Sequence, residues 1–150
     1  MPVGILTLMD FVMLVHAAAT LAMTGLIWFV QLVHYPLFAF VGEDAFARYE
    51  AHHQTRTTWI VAPLMLAELA TAVLLVIVPP AGVSPLTARV ALGLLALVWL
   101  STAAWQVPLH RRLARGFDAP QIRTLVRSNW LRTLAWTARA ALVLGGMLPL

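Results

Sequence analysis

The 150-residue chain is 61% hydrophobic and only 11% charged, whereas charged residues make up about a quarter of an ordinary soluble domain; a soluble globular domain is therefore excluded. It has no cysteine, which removes disulfides, thiolate ligands and thiol nucleophiles and leaves only nitrogen and oxygen ligands for any bound metal. Its ten basic residues are all arginine, and their placement in loops points to membrane topology and headgroup contact rather than to nucleic acid.

Four apolar stretches follow one another, approximately 11–33, 59–78, 86–107 and 130–150. Each is close to the ~20 residues that carry a helix across ~30 Å of hydrocarbon. The expected fold is all-α: one integral membrane domain over 1–150, a four-helix bundle. No Lys or Arg precedes the first stretch, and that stretch is longer than a signal-peptide core, so it is predicted to stay as helix one.

Eight arginines lie in or beside the first and third connections, while the second connection, PPAGVSP, has none. The positive-inside rule then places the 34–58 and 108–129 connections in the cytoplasm and both termini outside, in a bacterial plasma membrane. In the second connection Pro79-Pro80 stops a helix, and Ser84-Pro85 reads as an N-cap followed by proline at the first helical position. The longer connections are predicted to hold short surface helices. Phe46, Tyr49 and His53 recur at helical spacing behind a candidate Asp44 cap, and Asp118 with Gln121 resembles a capping box before Ile122.

A short internal repeat runs through these regions. Val33-His34-Tyr35-Pro36-Leu37 aligns with Trp105-Gln106-Val107-Pro108-Leu109, and His53-x-x-Arg56-Thr57 aligns with Asn129-x-x-Arg132-Thr133. Two tandem helical hairpins of the same orientation, related by a pseudo-two-fold axis along the membrane normal, are the expected outcome.

Polar residues inside apolar stretches are the candidate functional residues, because exposing them to lipid is costly. On helix one, His16, Thr20, Thr24, Gln31 and His34 fall on one face and are predicted to turn inward, with threonine hydroxyls able to bond back to their own helix. His16 and His34 are separated by roughly 27 Å along the axis at 1.5 Å per residue and cannot share an ion.

At the cytoplasmic level that the positive-inside rule assigns, His34, His53 and His110 come from separate helices and form a candidate metal set for Fe, Cu or Zn, or an approach to a haem edge. The metal reading rests on that convergence and not on a local motif. The alternative is interfacial histidines pairing with headgroups, loop carbonyls or Glu50. Glu68, roughly 22 Å deeper than His53, is the single acid near mid-span; with His16 or Arg139 it is a candidate proton path. Trp59 and Trp130 suit interface anchors, and Trp99 and Trp136 suit cavity walls.

Around QVPLHRRL and NWLRTLAW the sequence resembles the DUF1772 group of small four-helix membrane proteins, which includes anthrone oxygenases. The resemblance is carried by Val107, Pro108, Leu109, Asn129, Arg132 and Thr133, with Gln106 and His110 standing where the family has asparagine. It implies oxidation of a lipophilic aromatic such as an anthrone by dioxygen, with Pro108 ending helix three so that Gln106 and His110 meet Asn129 and Arg132. A histidine near the start of helix one also resembles the haem-binding protoporphyrinogen oxidase family.

The leading expectation is thus a membrane oxidoreductase or oxygenase. His53, His110, Asn129 and Arg132 are its candidate catalytic residues, and Gln31, Gln106 and Trp136 its candidate substrate contacts. The cofactor is open between none, a transition metal and haem. Expected partners are the bilayer and a lipophilic small molecule, with a homo-oligomer left open and no nucleic acid. A proton-coupled transporter built on Glu68 and a structural or accessory subunit are the competing classes.

Overall fold

The computed structural model describes residues 7–80 and 82–147. Among the described residues all regular structure is helical, with no strand. Four long helices follow in order: α1 (Leu8–Phe40), α2 (Glu43–Ile77), α3 (Pro85–Leu113) and α4 (Ala119–Met147). They form a ring in which α1 packs on α2, α2 on α3, α3 on α4 and α4 back on α1.

Local chemistry sets most of the ends. Thr7 and Asp10 form a reciprocal capping box at the start of α1, with Asp10 N donating to Thr7 Oγ1 at 3.2 Å and Thr7 N to Asp10 Oδ2 at 2.9 Å. Ser84 Oγ caps α3 by accepting from Thr87 N at 3.0 Å, with Pro85 at the first helical position. Asp118 accepts from the backbone N–H of Gln121 at 2.9 Å and from its side chain at 2.6 Å. These two bonds, the backbone one first, hold the Asp118 carboxyl below its ordinary range. Gly116, at φ 151°, gives the positive angle that ends α3 and turns the chain into α4.

Three expectations on helix bounds need correction. The segment before residue 59 is not a separate surface helix but the first part of a continuous 35-residue α2. Nothing in it breaks a helix, and it buries Phe46 and Glu50 against the bundle. Its cap is Gly42, so Asp44 lies within the first turn. Helix four starts at Ala119, well before residue 130, and is described to Met147.

Pro108 does not end α3; the helix runs on to Leu113. The turn before it, Thr102–Gln106, is wound wider, with Val107 N–H bonded to Thr102 O, five residues back. A proline lacks the N–H and crowds the carbonyl four residues back, and one extra residue in the preceding turn relieves that conflict. The same happens in α1. Val30–His34 is a wide turn, Tyr35 N–H bonds to Val30 O, and the helix passes through Pro36.

The bundle is apolar outside as well as inside. Leu14, Leu32, Trp59, Ile60, Leu66, Leu86, Leu100 and Leu134 are exposed, while Glu50, Glu68, Gln31, Asn129, Arg132 and Arg139 are buried. Helices α1, α2 and α3 are long and apolar enough to cross a membrane. Helix α4 does not join them among the described residues. It carries Arg123 and Arg127 exposed near its start, with Arg132 at its middle and Arg139 beyond it buried.

Candidate functional site

The polar interior divides into three groups. The deepest surrounds Glu68. Its Oε1 accepts from Thr20 Oγ1 at 2.8 Å and from Arg139 Nε at 3.0 Å, with Arg139 Nη2 at 2.9 Å; its Oε2 accepts from the Trp136 indole at 3.0 Å. Arg139 also donates to the carbonyl of Ala91. His16 lies one step away. Its Nδ1 is 2.8 Å from Thr71 Oγ1, and because that hydroxyl gives its own proton to Ala67 O, the imidazole is the donor. Glu68 lines neither the small apolar cavity of about 50 Å³ beside His16 nor the larger cavity described below.

The second group is an amide and guanidinium network. Asn129 Nδ2 donates to Gln31 Oε1 at 3.0 Å, Gln31 Nε2 donates to Val126 O at 3.2 Å, and Arg132 Nη1 donates to Asn129 Oδ1 at 3.1 Å. Arg132 also lies 5.2 Å above the ring of Trp136, a cation–π contact. Thr133 closes the network on Gln31 Oε1 at 3.3 Å.

The third group lies where α1, α2 and α3 meet below the two wide turns. His110 is gripped at both nitrogens, with Nδ1 2.6 Å from Glu50 Oε1 and Nε2 2.8 Å from the Tyr35 hydroxyl. Gln54 steadies the pair by donating to Glu50 Oε1 at 3.1 Å and to His110 O at 3.0 Å. His53 Nδ1 meets His34 Nε2 at 2.8 Å and Thr57 Oγ1 at 3.1 Å. The rings of His53 and His110 are 5.2 Å apart, and Phe38 packs edge-on against His34 and His53.

A cavity of about 470 Å³ opens onto this third group. Met23, Leu26, Ile27, Val61, Met65 and Trp99 make its apolar wall; Tyr35, His53, Thr57, Gln106, His110 and Arg132 make its polar end. Its rim includes the exposed residues Thr58, Leu66, Val107 and Arg111 of α2 and α3, which places the mouth between those two helices. A separate cavity of about 550 Å³ lies behind His53, between His34, Arg48, His52 and Arg56.

Of the residues singled out in the sequence, His53, His110, Gln106 and Arg132 therefore share one cavity wall. Asn129 and Gln31 stand behind Arg132 rather than on that wall, and Trp136 is fully buried between Arg132 and Glu68. Gln106 donates to Ser128 Oγ at 3.0 Å and His110 turns to Glu50 and Tyr35, so neither meets Asn129 as expected. The three histidines do not form the tightest ligand set. That set is Glu50, His53 and His110, each offering one donor atom within 4.8 Å of the others, with His34 bonded to the far side of His53.

Glu50 and Tyr35 were missed as site residues. A signal for Glu50 was present: Glu50-x-x-His53 puts a carboxylate and an imidazole one turn apart on one helix face. Comparison with known protein families, characterised proteins and solved structures gives no match to this chain.

Proposed function

We propose that the chain is a membrane-embedded oxidoreductase of the oxygenase type that takes a lipophilic, aromatic, anthrone-like molecule into the cavity between α1, α2 and α3. The observation that carries this reading is the make-up of that cavity, an apolar wall closed at one end by two imidazoles, a phenol and a guanidinium. An apolar pocket with a few convergent polar groups is the usual form of a small-molecule site. A mouth between two helices with exposed apolar faces suits a substrate that arrives from lipid.

Anthrone-like substrates carry a C–H flanked by aromatic rings and activated by a carbonyl. Removing that proton gives a phenolate-type anion, which dioxygen can then oxidise to the quinone, one oxygen atom joining the carbon and the other leaving as water with the carbon's two hydrogens. In the metal-free protein His110, with Nδ1 on Glu50 and Nε2 on the Tyr35 hydroxyl, can accept a proton by way of Tyr35, and Arg132 lies on the same cavity wall, where a fixed cation stabilises developing negative charge. The DUF1772-like motif around Pro108 and Asn129 points to the same chemistry.

In the membrane all four helices would cross, α4 included, because Arg132 and Arg139 are turned into the bundle. Both termini would lie outside the plasma membrane of a bacterium. The repeated wide turn before Pro36 and Pro108 supports two tandem hairpins of common origin. A transporter built on Glu68 has less support, since that carboxylate is saturated with donors and lines neither of the two interior cavities.

The test is a titration of purified protein with an anthrone, read by quenching of tryptophan emission and by oxygen uptake. The wild type should bind and consume oxygen, and His110→Ala and Arg132→Gln should lower turnover at least about tenfold, the loss of one hydrogen bond to a charged group. Wild-type protein that neither binds nor oxidises the anthrone would remove the reading.

A further inference from the structure

We propose that Glu50, His53 and His110 together hold one divalent first-row transition-metal ion at the polar end of the cavity. Their donor atoms lie within 4.8 Å of one another. Glu50 and His53 stand at i and i+3 on α2 and His110 comes from α3. A Glu-x-x-His pair on one helix face is the ligand unit that carboxylate-bridged two-metal bundles use twice; here a single such pair is completed by His110 for one ion.

The hydrogen bonds around the three residues leave His53 Nε2 and Glu50 Oε2 without a partner, while His110 would exchange a proton for the ion. His53 uses Nδ1 toward His34 and Thr57, so Nε2 is the nitrogen left for an ion. With Nδ1–H given to His34, the tautomer carries its lone pair on Nε2, which is the role that outer partners of metal-bound imidazoles play. His110 presents Nδ1 to Glu50 and can give Nε2–H to the Tyr35 oxygen. Glu50 is fully buried, and its Oε2 has no hydrogen-bond partner. A buried carboxylate oxygen with no partner is costly, and a cation beside it offsets that cost.

The 2.6 Å between His110 Nδ1 and Glu50 Oε1 is the spacing of two atoms sharing a proton. Donors bound to one ion at ~2.1 Å stand roughly 3.0–3.4 Å apart. Replacing the proton by an ion thus requires a small opening of this contact, together with an approach of the His53 donor, which stands within 4.8 Å of the other two.

Ligand type sets the class of ion. Two imidazoles and one carboxylate, with no thiolate, suit Fe(II), Co(II) or Zn(II) rather than Mg(II) or Ca(II). A two-histidine, one-carboxylate set with positions left open is the arrangement of non-haem iron(II) oxygenases. Here the open positions would give onto the cavity, since His53 and His110 both line it. The site stands on these side chains whatever molecule fills the cavity.

Co(II) is the probe. Tag-free protein in detergent, with no lipophilic ligand added, is titrated with Co(II) and read by visible absorption and by metal content after gel filtration. The expected result is one Co(II) per chain with ligand-field bands, binding at least a hundredfold weaker in Glu50→Gln and His110→Ala, and ten- to a hundredfold weaker in His34→Ala. The His34 variant changes no ligand and leaves the buried carboxylate in place, so it reads the site even if Glu50→Gln fails to fold. Wild-type protein that retains no Co(II), or His53→Ala that binds it as tightly as wild type, overturns the proposal. Anthrone binding is measured in a separate titration on metal-free protein, so failure of one reading does not mask the other.

Discussion

His110 Nδ1 stands 2.6 Å from Glu50 Oε1, across the contact between α3 and α2 and 60 residues away in the chain. The carboxylate is fully buried and the imidazole nearly so. A hydrogen bond to a charged group is worth about 1.5–3 kcal/mol, so Glu50→Ala and His110→Ala should each destabilise the folded protein by about that amount. Because the residues share one interaction, the double variant should cost less than the two single costs added, with a coupling of about 0.5–3 kcal/mol. Denaturant titration in detergent of the four proteins checks this; strictly additive losses would mean that the contact contributes nothing of its own.

Glu68 and Arg139 make a different kind of pair. Both side chains are wholly buried, and the carboxylate also holds Thr20 and Trp136. Removing one member of such a pair leaves an uncompensated charge and costs about 3–5 kcal/mol, while replacing both by apolar side chains of similar volume is often near neutral. Arg139→Met should therefore lower stability far more than Arg139→Met with Glu68→Leu. The same double variant should keep anthrone binding, since neither residue lines the large cavity. Loss of binding in a folded double variant would return Glu68 to the functional site.

How much of this was legible in the chain differs from feature to feature. The all-helical architecture followed from apolar run lengths, and the inward face of α1 from the spacing of His16, Thr20, Gln31 and His34. The pairing of Glu68 with Arg139 was legible because a lone mid-span acid needs a partner. The wide turns were not. Proline in an apolar run signals a stop, yet a single extra residue in the preceding turn lets each helix continue, and that rotation changes which side chains face inward beyond it. His110 accordingly meets Glu50 rather than Asn129. Glu50 is hard to recognise as a ligand because its stretch has the pattern of a surface helix, where a carboxylate needs no explanation beyond pairing with an interfacial histidine. Helix α2 begins sixteen residues before its apolar core at residue 59, and that extension is what buries it.

The membrane orientation can be tested without background, because the chain has no cysteine of its own. Ala45, at the start of α2 just before Arg48 and Arg56, and Ala119, at the start of α4 just after Arg111, Arg112 and Arg115, should be protected from an impermeant thiol reagent in intact cells when changed to cysteine. A cysteine at Val83, in the arginine-free turn between α2 and α3, should be labelled. Labelling of the first two and protection of the third would reverse the topology, and identical labelling of all three would contradict the crossing of α2.

Asn129 offers the sharpest separation between support and contact. It is fully buried and does not line the cavity, yet its Oδ1 accepts from Arg132 Nη1 at 3.1 Å and its Nδ2 holds Gln31 at 3.0 Å. Arg132, which does line the cavity, depends on that acceptor and on the face of Trp136 for its position. Asn129→Ala should leave the apolar wall intact but let the guanidinium move, and loss of a hydrogen bond to a charged group corresponds to roughly a ten- to hundredfold fall in a rate that depends on it. Affinity for a neutral anthrone analogue should stay close to wild type, since the apolar wall of Met23, Ile27, Met65 and Trp99, which the proposed function assigns to its binding, is unchanged. Asn129→Asp should be as inactive as Asn129→Ala, because a carboxylate beside Arg132 neutralises the field that an anionic intermediate needs. Oxygen uptake and equilibrium quenching, measured on both variants beside Arg132→Gln, provide the comparison. If Asn129→Ala turns over at the wild-type rate while Arg132→Gln does not, Arg132 holds its place without Asn129. Equal loss of binding and turnover in Asn129→Ala would mean that the network shapes the cavity as a whole rather than aiming one charge.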